Sequence, residues 1–206
     1  MSQPTDLIDH DILRKLLAGI LPESKRIYSP AEDSFLMLQA ISAINVEGLK
    51  VLDVGTGSGI LGLYCAMRGA KVTITDIDEI ALHCAKDAAR RLGVSVKIVL
   101  SDLFSNVSDS FDIVLFNPPY LPSSTIDDRT VDGGKEGAVL AERFLDALQM
   151  HLNKDGIALL LVSSQNNPEA LISRQKAFEA SVVARCPLFF EEIQVLSLRF
   201  RENAAR

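Results

Sequence analysis

The chain has 206 residues, 48% of them apolar and 23% charged, with a formal charge of −6 and a pI of about 5.1. That size and composition describe one globular domain with a single sizeable core. The acidic balance offers no field to attract a nucleic-acid backbone, which disfavours unaided binding to duplex DNA. The N-terminus, MSQPTDLIDHDILRKLL, lacks a basic start leading into an apolar core, and no stretch approaches the roughly 18 apolar residues of a membrane span. A cytoplasmic protein is expected. Cys65, Cys84 and Cys186 are odd in number and widely spaced, so they suggest neither a disulfide framework nor a zinc site, and buried apolar thiols are expected. His10, His83 and His151 stand singly and read as surface or satisfied core residues.

In chain order, Ile8, Ile12, Leu16 and Ile20 recur at four-residue spacing and predict an amphipathic helix over residues 7–20. Residues 1–27 are read as a helical extension, and residues 28–206 as the main domain. YSPAEDSFLMLQAISAI opens a second helix, in which Ser29 at N-cap, Pro30 at N1 and Glu32 at N3 fit a capping box. Strands and helices then alternate: KVLDVG, the helix GILGLYCAMRG, KVTITD, the helix EIALHCAKDAARRLG, VKIVL and FDIVLF. Leu121 to Gly137 is a long polar segment of the kind that serves as a functional loop. The helix AVLAERFLDALQMHL, the strand GIALLLV and a short helix capped by Asn167 with Pro168 at N1 follow. SVVARC and IQVLSLRF are strands with no helix between them, so they must pair antiparallel. The expected fold is α/β: a doubly wound, mostly parallel seven-stranded sheet with a C-terminal antiparallel hairpin.

Between the first strand and its helix lies DVGTGSGILG, where a doubly wound sheet binds a nucleotide-like ligand. Gly55, Gly57 and Gly59 let the backbone turn sharply and come close to the ligand, while the helix N-terminus presents unpaired N–H groups. Gly57-Ser-Gly59-Ile-Leu-Gly62 also satisfies the dinucleotide pattern G-x-G-x-x-G, so a nicotinamide dehydrogenase has to be weighed. Asp53, Asp76 and Asp102 end the first three strands. Asp53 suits a ligand carrying positive charge, Asp76 the ribose hydroxyls, and Asp102 with Leu103 an adenine. Any one of these aspartates alone reads better as a strand-end cap or turn former. Three at successive strand ends line one crevice.

Next to that crevice, the fourth strand ends in Asn117-Pro118-Pro119-Tyr120. Neither proline has a backbone N–H, and Pro118 restrains Asn117 from helical conformations. The stretch therefore offers acceptors without backbone donors. The Asn117 side-chain oxygen and the Pro118 carbonyl can accept both hydrogens of one planar –NH₂, with Tyr120 stacking beside it. The competing reading is a strand terminator stiffened by two prolines. As a holder, the motif fixes a weakly nucleophilic amide or aromatic amine toward an electrophile, and good alignment can supply about 7–11 kcal/mol of barrier reduction.

Taken together, DVGTGSG, Asp76, Asp102 and NPPY resemble a class I S-adenosylmethionine-dependent methyltransferase, a Rossmann-like fold. More narrowly, YSPAEDSFLML, FNPPYLP, GGKEG with ERFLDAL, and NNPEALI resemble the eukaryotic and archaeal branch of the HemK-like glutamine methyltransferases, from about Tyr28 to Phe200. The resemblance implies methylation of the side-chain amide nitrogen of the glutamine in the Gly-Gly-Gln motif of class I release factors. It implies cofactor contacts from Ser34, Asp53, Gly55, Asp76, Asp102, Leu103 and Asn117, and substrate contacts from Asn117, Pro118, Pro119, Tyr120 and Leu121. It also implies a small zinc-binding activator subunit, for which Val96 to Leu100, the outermost strand in the usual order, is a candidate edge. Asp33 has no role in the capping box and is a further candidate for cofactor contact. The rival activities are adenine-N6 and protein-lysine methylation, a NAD-dependent dehydrogenase, and a catalytically silent binding module.

Overall fold

The computed structural model describes residues 8–20, 29–119 and 135–202. Its seven strands are β1 (Lys50–Val54), β2 (Lys71–Asp76), β3 (Val96–Leu100), β4 (Phe111–Phe116), β5 (Leu152–Ser163), β6 (Phe178–Pro187) and β7 (Glu192–Phe200). They form one sheet in the order β3-β2-β1-β4-β5-β7-β6. The first five pair in parallel, whereas β7 runs antiparallel to both β5 and β6. The expected doubly wound sheet with its C-terminal hairpin is present, with β3 at one edge and β6 at the other. The chain reverses its strand order between β1 and β4, which opens a crevice at their C-terminal ends.

Period-two alternation sorts the central strands onto two faces. Ile113 and Leu115 of β4 join Ile157, Leu159 and Leu161 of β5 in one buried cluster. Val114 and Phe116 join Ala158, Leu160 and Val162 in the other, where a register shift between Phe111 and Ile113 also puts Phe111. The first face is covered by α2 (Glu32–Ser42), α3 (Ile60–Met67) and α4 (Glu79–Leu92), and the second by α5 (Lys135–Leu148) with α6 (Pro168–Ser173). Every helix thus has a core to cover. The N-terminal helix α1 (His10–Gly19) is capped by Asp9, whose Oδ1 accepts from Asp11 and Ile12 N–H. It lies on α3 and α4, with Leu16 fully buried.

Three expectations about boundaries are corrected. The helix α2 starts at Glu32 rather than Pro30, with Ala31 at its N-cap and no side-chain cap, so Ser29, Pro30 and Glu32 form no capping box. The residue before a proline is held extended, and here the extended run carries through Ala31. The helix α5 ends at Leu148, because Met150 and His151 N–H turn back onto Ala147 and Leu148 carbonyls. Leu152, expected to continue that helix, begins β5 instead. The hairpin strand β6 starts at Phe178, three residues before the expected SVVARC, and packs the Phe178 ring tilted against Phe200 of β7 at 4.9 Å.

Arg68, at the C-cap of α3, closes the far end of α2. Its guanidinium donates to the carbonyls of Ile41 and Ile44, each at 2.9 Å, and lies over the Tyr64 ring. Carbonyls that lack helical partners are satisfied in this way, and the axis of α2 is fixed against α3.

Candidate active site

The glycine turn follows β1 directly. Gly55, Gly57 and Gly59 have φ of 60°, 54° and 84°, all in the left-handed region that favours glycine. Gly59 also lacks room for a side chain, since a Cβ there would lie 3.0 Å from Ala85 Cβ and from Leu63 Cδ1. A Cβ on Gly57 would meet nothing within 4 Å, so this bend faces open space. Thr56 N–H donates to the Thr75 carbonyl at 2.9 Å, which stitches the turn to β2.

Two of the expected aspartates hold that turn in shape. Asp53 is buried, and its Oδ2 accepts from Thr56 Oγ1 at 2.5 Å and from Gly62 N–H at 2.9 Å. A Cβ on Gly62 would lie 3.0 Å from that oxygen, so the last glycine of the G-x-G-x-x-G pattern serves close packing of α3 against Asp53. Burial pushes the Asp53 carboxyl up from its ordinary 3.8 to about 6, against the lowering pull of Thr56 and Gly62 and with a small push from Asp76. A buried carboxylate with its ionised form disfavoured gains from a cation placed nearby. Asp76 Oδ2 accepts from Gly57 N–H and its Oδ1 from Asp78 N–H, both at 2.9 Å. Partial burial also raises its pKa, while the bonds from Asp78 and Gly57 oppose the rise. Each oxygen retains a lone pair for a ligand hydroxyl.

The loop after β3 places the third aspartate differently. Asp102 is exposed and accepts from Arg143 Nη2 of α5 at 2.8 Å. Leu103 holds φ at 49°, one of two non-glycine residues in the left-handed region among those described. Such a conformation costs on the order of 1 kcal/mol and persists where its surroundings impose it. Here Ser101 Oγ donates to the Leu103 carbonyl at 2.9 Å and accepts from Asn106 N–H at 3.0 Å. Beside this loop, on the α5 face, is an open cavity of about 560 Å³ lined by Asp102, Leu103, Phe104, Arg143, Ala147 and His151.

At the end of β4, Asn117 Nδ2 donates to Asp33 Oδ2 at 2.9 Å. Asn117 Oδ1 is buried and meets no donor among the described residues. An unsatisfied buried acceptor costs about 1–3 kcal/mol, and native structures keep few of them. Pro118 is buried and Pro119 half-buried, while Tyr120 and Leu121 lie outside the described residues. Asp33 and Ser34 come from the first turn of α2. Asp33 Oδ1 accepts from Ser34 N–H at 2.7 Å and from Ser34 Oγ at 3.3 Å.

The fold therefore brings together the glycine turn, Asp53 and Asp76, and joins Ser34 to Asn117 through Asp33. Asp102 and Leu103 stand at the neighbouring strand end, with Asp102 turned toward Arg143. No sequence pattern pointed to Arg143 or to the pairing of Asp33 with Asn117, because those partners are 41 and 84 residues away from their mates.

Residues 32–186 match the family model described as the methyltransferase small domain. The chain is 37% identical to the putative protein N5-glutamine methyltransferase of Methanocaldococcus jannaschii over 83% of this chain and 90% of that protein. The chain belongs to the HemK-like methyltransferases. It is 32% identical to the human methyltransferase HEMK2, over 73% of this chain and 78% of that one. Its fold matches the Mtq2-Trm112 complex of E. cuniculi, described as responsible for methylating the eRF1 termination factor. That match has a TM-score of 0.70 and 25% identity, and covers 85% of this chain and 99% of the other. As a member of this family the protein is a methyltransferase, and the dehydrogenase suggested by its G-x-G-x-x-G pattern is set aside.

Proposed function

We propose that this enzyme uses S-adenosylmethionine to methylate the side-chain amide nitrogen of the glutamine in the Gly-Gly-Gln motif of a class I release factor. The observation that carries this reading is the buried Asn117 Oδ1 with no donor, next to a turn built to bring backbone close to a ligand. The residues fit the cofactor. Gly55 and Gly57 leave space at the turn, Asp53 offers a carboxylate that a cation would relieve, and Asp76 offers acceptors to ribose hydroxyls. Asp102 and Leu103 would border the adenine, and Ser34 and Gly59 would shape the floor. When bound, the cofactor supplies an electrophilic methyl on a positively charged sulfur.

The chain's own part is positioning. Asn117 Oδ1 and the Pro118 carbonyl accept the two hydrogens of the glutamine –NH₂ and fix its plane. Pro119 stiffens that holder, and Tyr120 and Leu121 would flank the amide. The chain then contributes alignment rather than proton abstraction, and the surplus proton passes to solvent. Among the relatives, the E. cuniculi enzyme is named together with a second subunit, and the edge strand β3 is where a small zinc-binding activator would dock here. Among the described residues no helix is long and apolar enough to cross a membrane, and we place the protein in the cytoplasm with its soluble substrate. We also take residues 1–27 as an extension of the methyltransferase domain at 28–206.

The experiment is a split between binding and transfer. Asn117→Ala is expected to keep S-adenosylmethionine affinity within a few-fold and to lower methyl transfer at least a hundredfold. Equal loss of both would count against the holder role.

A further inference from the structure

We propose that Asp33 is a positioning residue that sets the polarity of the Asn117 amide, and thereby makes the site select an –NH₂ over a carboxylate. The inference rests on the reading of Asn117 as the amide holder and adds what makes it a one-way holder. A side-chain amide is nearly symmetric in shape, with an acceptor on one branch and two donors on the other. Nothing in the backbone at the end of β4 decides which branch faces the crevice. Prolines 118 and 119 supply no N–H that would draw the oxygen inward. Asp33 supplies the decision. Its carboxylate only accepts, and at 2.9 Å its Oδ2 takes a hydrogen from Asn117 Nδ2. A flipped Asn117 would set oxygen against oxygen at that distance.

The carboxylate itself cannot swing aside to permit the flip. Asp33 is 3% exposed, and its other oxygen is held by the N–H and the hydroxyl of Ser34. It stands in the first turn of α2, where the helix dipole favours an anion. The helix is pinned in turn by Arg68 at its other end. The Asn117 oxygen is therefore left as a buried atom without a donor among the described residues. A substrate glutamine can supply the missing hydrogen, whereas a glutamate carboxylate would bring a second acceptor. Sites built to bond a polar group reject analogues that leave their own buried polar atoms unpaired.

The test uses Asp33→Asn, nearly the same in shape but able to pair with either orientation of Asn117. A release factor serves as substrate, and its Gly-Gly-Glu variant as competitor. The expected result is a fall of about tenfold to a hundredfold in kcat, the cost of losing a hydrogen bond to a charged group, with S-adenosylmethionine affinity within threefold. The Gly-Gly-Glu competitor should tighten at least tenfold relative to the Gly-Gly-Gln substrate, because a flipped Asn117 can donate to a carboxylate. A structural role for Asp33 would weaken both proteins in proportion and leave that ratio unmoved. If Asp33→Asn does not fold, Asp33→Ser, too short to reach Asn117, should give the same collapse of discrimination. Wild-type kcat, or an unchanged ratio, in a folded variant overturns the assignment. Asn117→Ala run alongside separates the two claims. If it still transfers methyl, the holder reading fails first; if it is inactive while Asp33→Asn behaves as wild type, only the role of Asp33 is lost.

Discussion

A single buried carboxylate carries a stability cost at the proposed cofactor site. Asp53 is held near 6 by burial, about two units above its ordinary value, which is about 3 kcal/mol of cost to keeping it ionised in the folded chain. The folded state then binds more protons than the unfolded one between about pH 4 and pH 6, so stability falls as pH rises through that window. The cost is full above pH 6 and absent below pH 4. Asp53→Asn, which can still accept from Thr56 and Gly62, is expected to stabilise the cofactor-free protein at pH 8 by about 1–3 kcal/mol and by about a third of that at pH 4.5. It should also weaken S-adenosylmethionine binding at least tenfold. Urea unfolding at the two pH values checks the first part, and an equal effect at both would contradict it. Asp53, Asp76 and the glycines were legible in the sequence because each is read from its place at a strand end or in a turn. Asp102 was legible as a strand-end acid, but its pairing with Arg143 was not, since that partner belongs to a helix on the far side of the loop. Asp33 stood out only as a residue that capping left without a role. Its bond to Asn117 exists because the topology packs α2 over β5, β6 and β7 with its first turn reaching the end of β4, which no local pattern encodes.

At the scale of elements, α2 links the two ends of the account. Its first turn presents Asp33 to Asn117, and its last turn is closed by Arg68. Arg68→Ala is expected to cost about 2 kcal/mol, because it strands helix carbonyls that a charged donor satisfied. Arg68→Lys should restore less than half, since one ammonium does not reproduce the planar fork. Thermal melting of the three proteins checks this, and a lysine variant as stable as wild type would argue against it. The edge strand β3 carries a second prediction. Leu100 is 43% exposed there. If the proposed zinc-binding activator docks on this edge, Leu100→Asp is expected to leave the melting temperature of the isolated chain almost unchanged and to abolish co-purification with that subunit. The order of elements was legible from periodicity, but their boundaries less so. Ser29 with Glu32 matched a capping box in spelling while Pro30 held the chain extended, and Leu152 continued a helical spacing although the turn at Met150 and His151 had already ended the helix.

For the whole molecule, the sheet order brings the ends of β1, β2 and β4 to one crevice, and the acidic surface narrows what may enter it. With a formal charge of −6 the enzyme is expected to show no retention on duplex DNA at 150 mM salt. Salt-sensitive binding in a mobility-shift assay would reopen the adenine-N6 reading. The fold class was legible throughout because alternation of strand and helix, seven apolar runs and an unbridged C-terminal pair admit few other topologies. The substrate rests on one atom and on the relatives' names. The most direct measurement is therefore mass spectrometry of a class I release factor incubated with the enzyme and S-adenosylmethionine, with and without the activator, beside the Asn117→Ala control. The expected result is one added methyl, mapped to the Gly-Gly-Gln glutamine and missing from the control. No methyl under either condition, from an enzyme shown to bind its cofactor, or a methyl on any other residue, would contradict it.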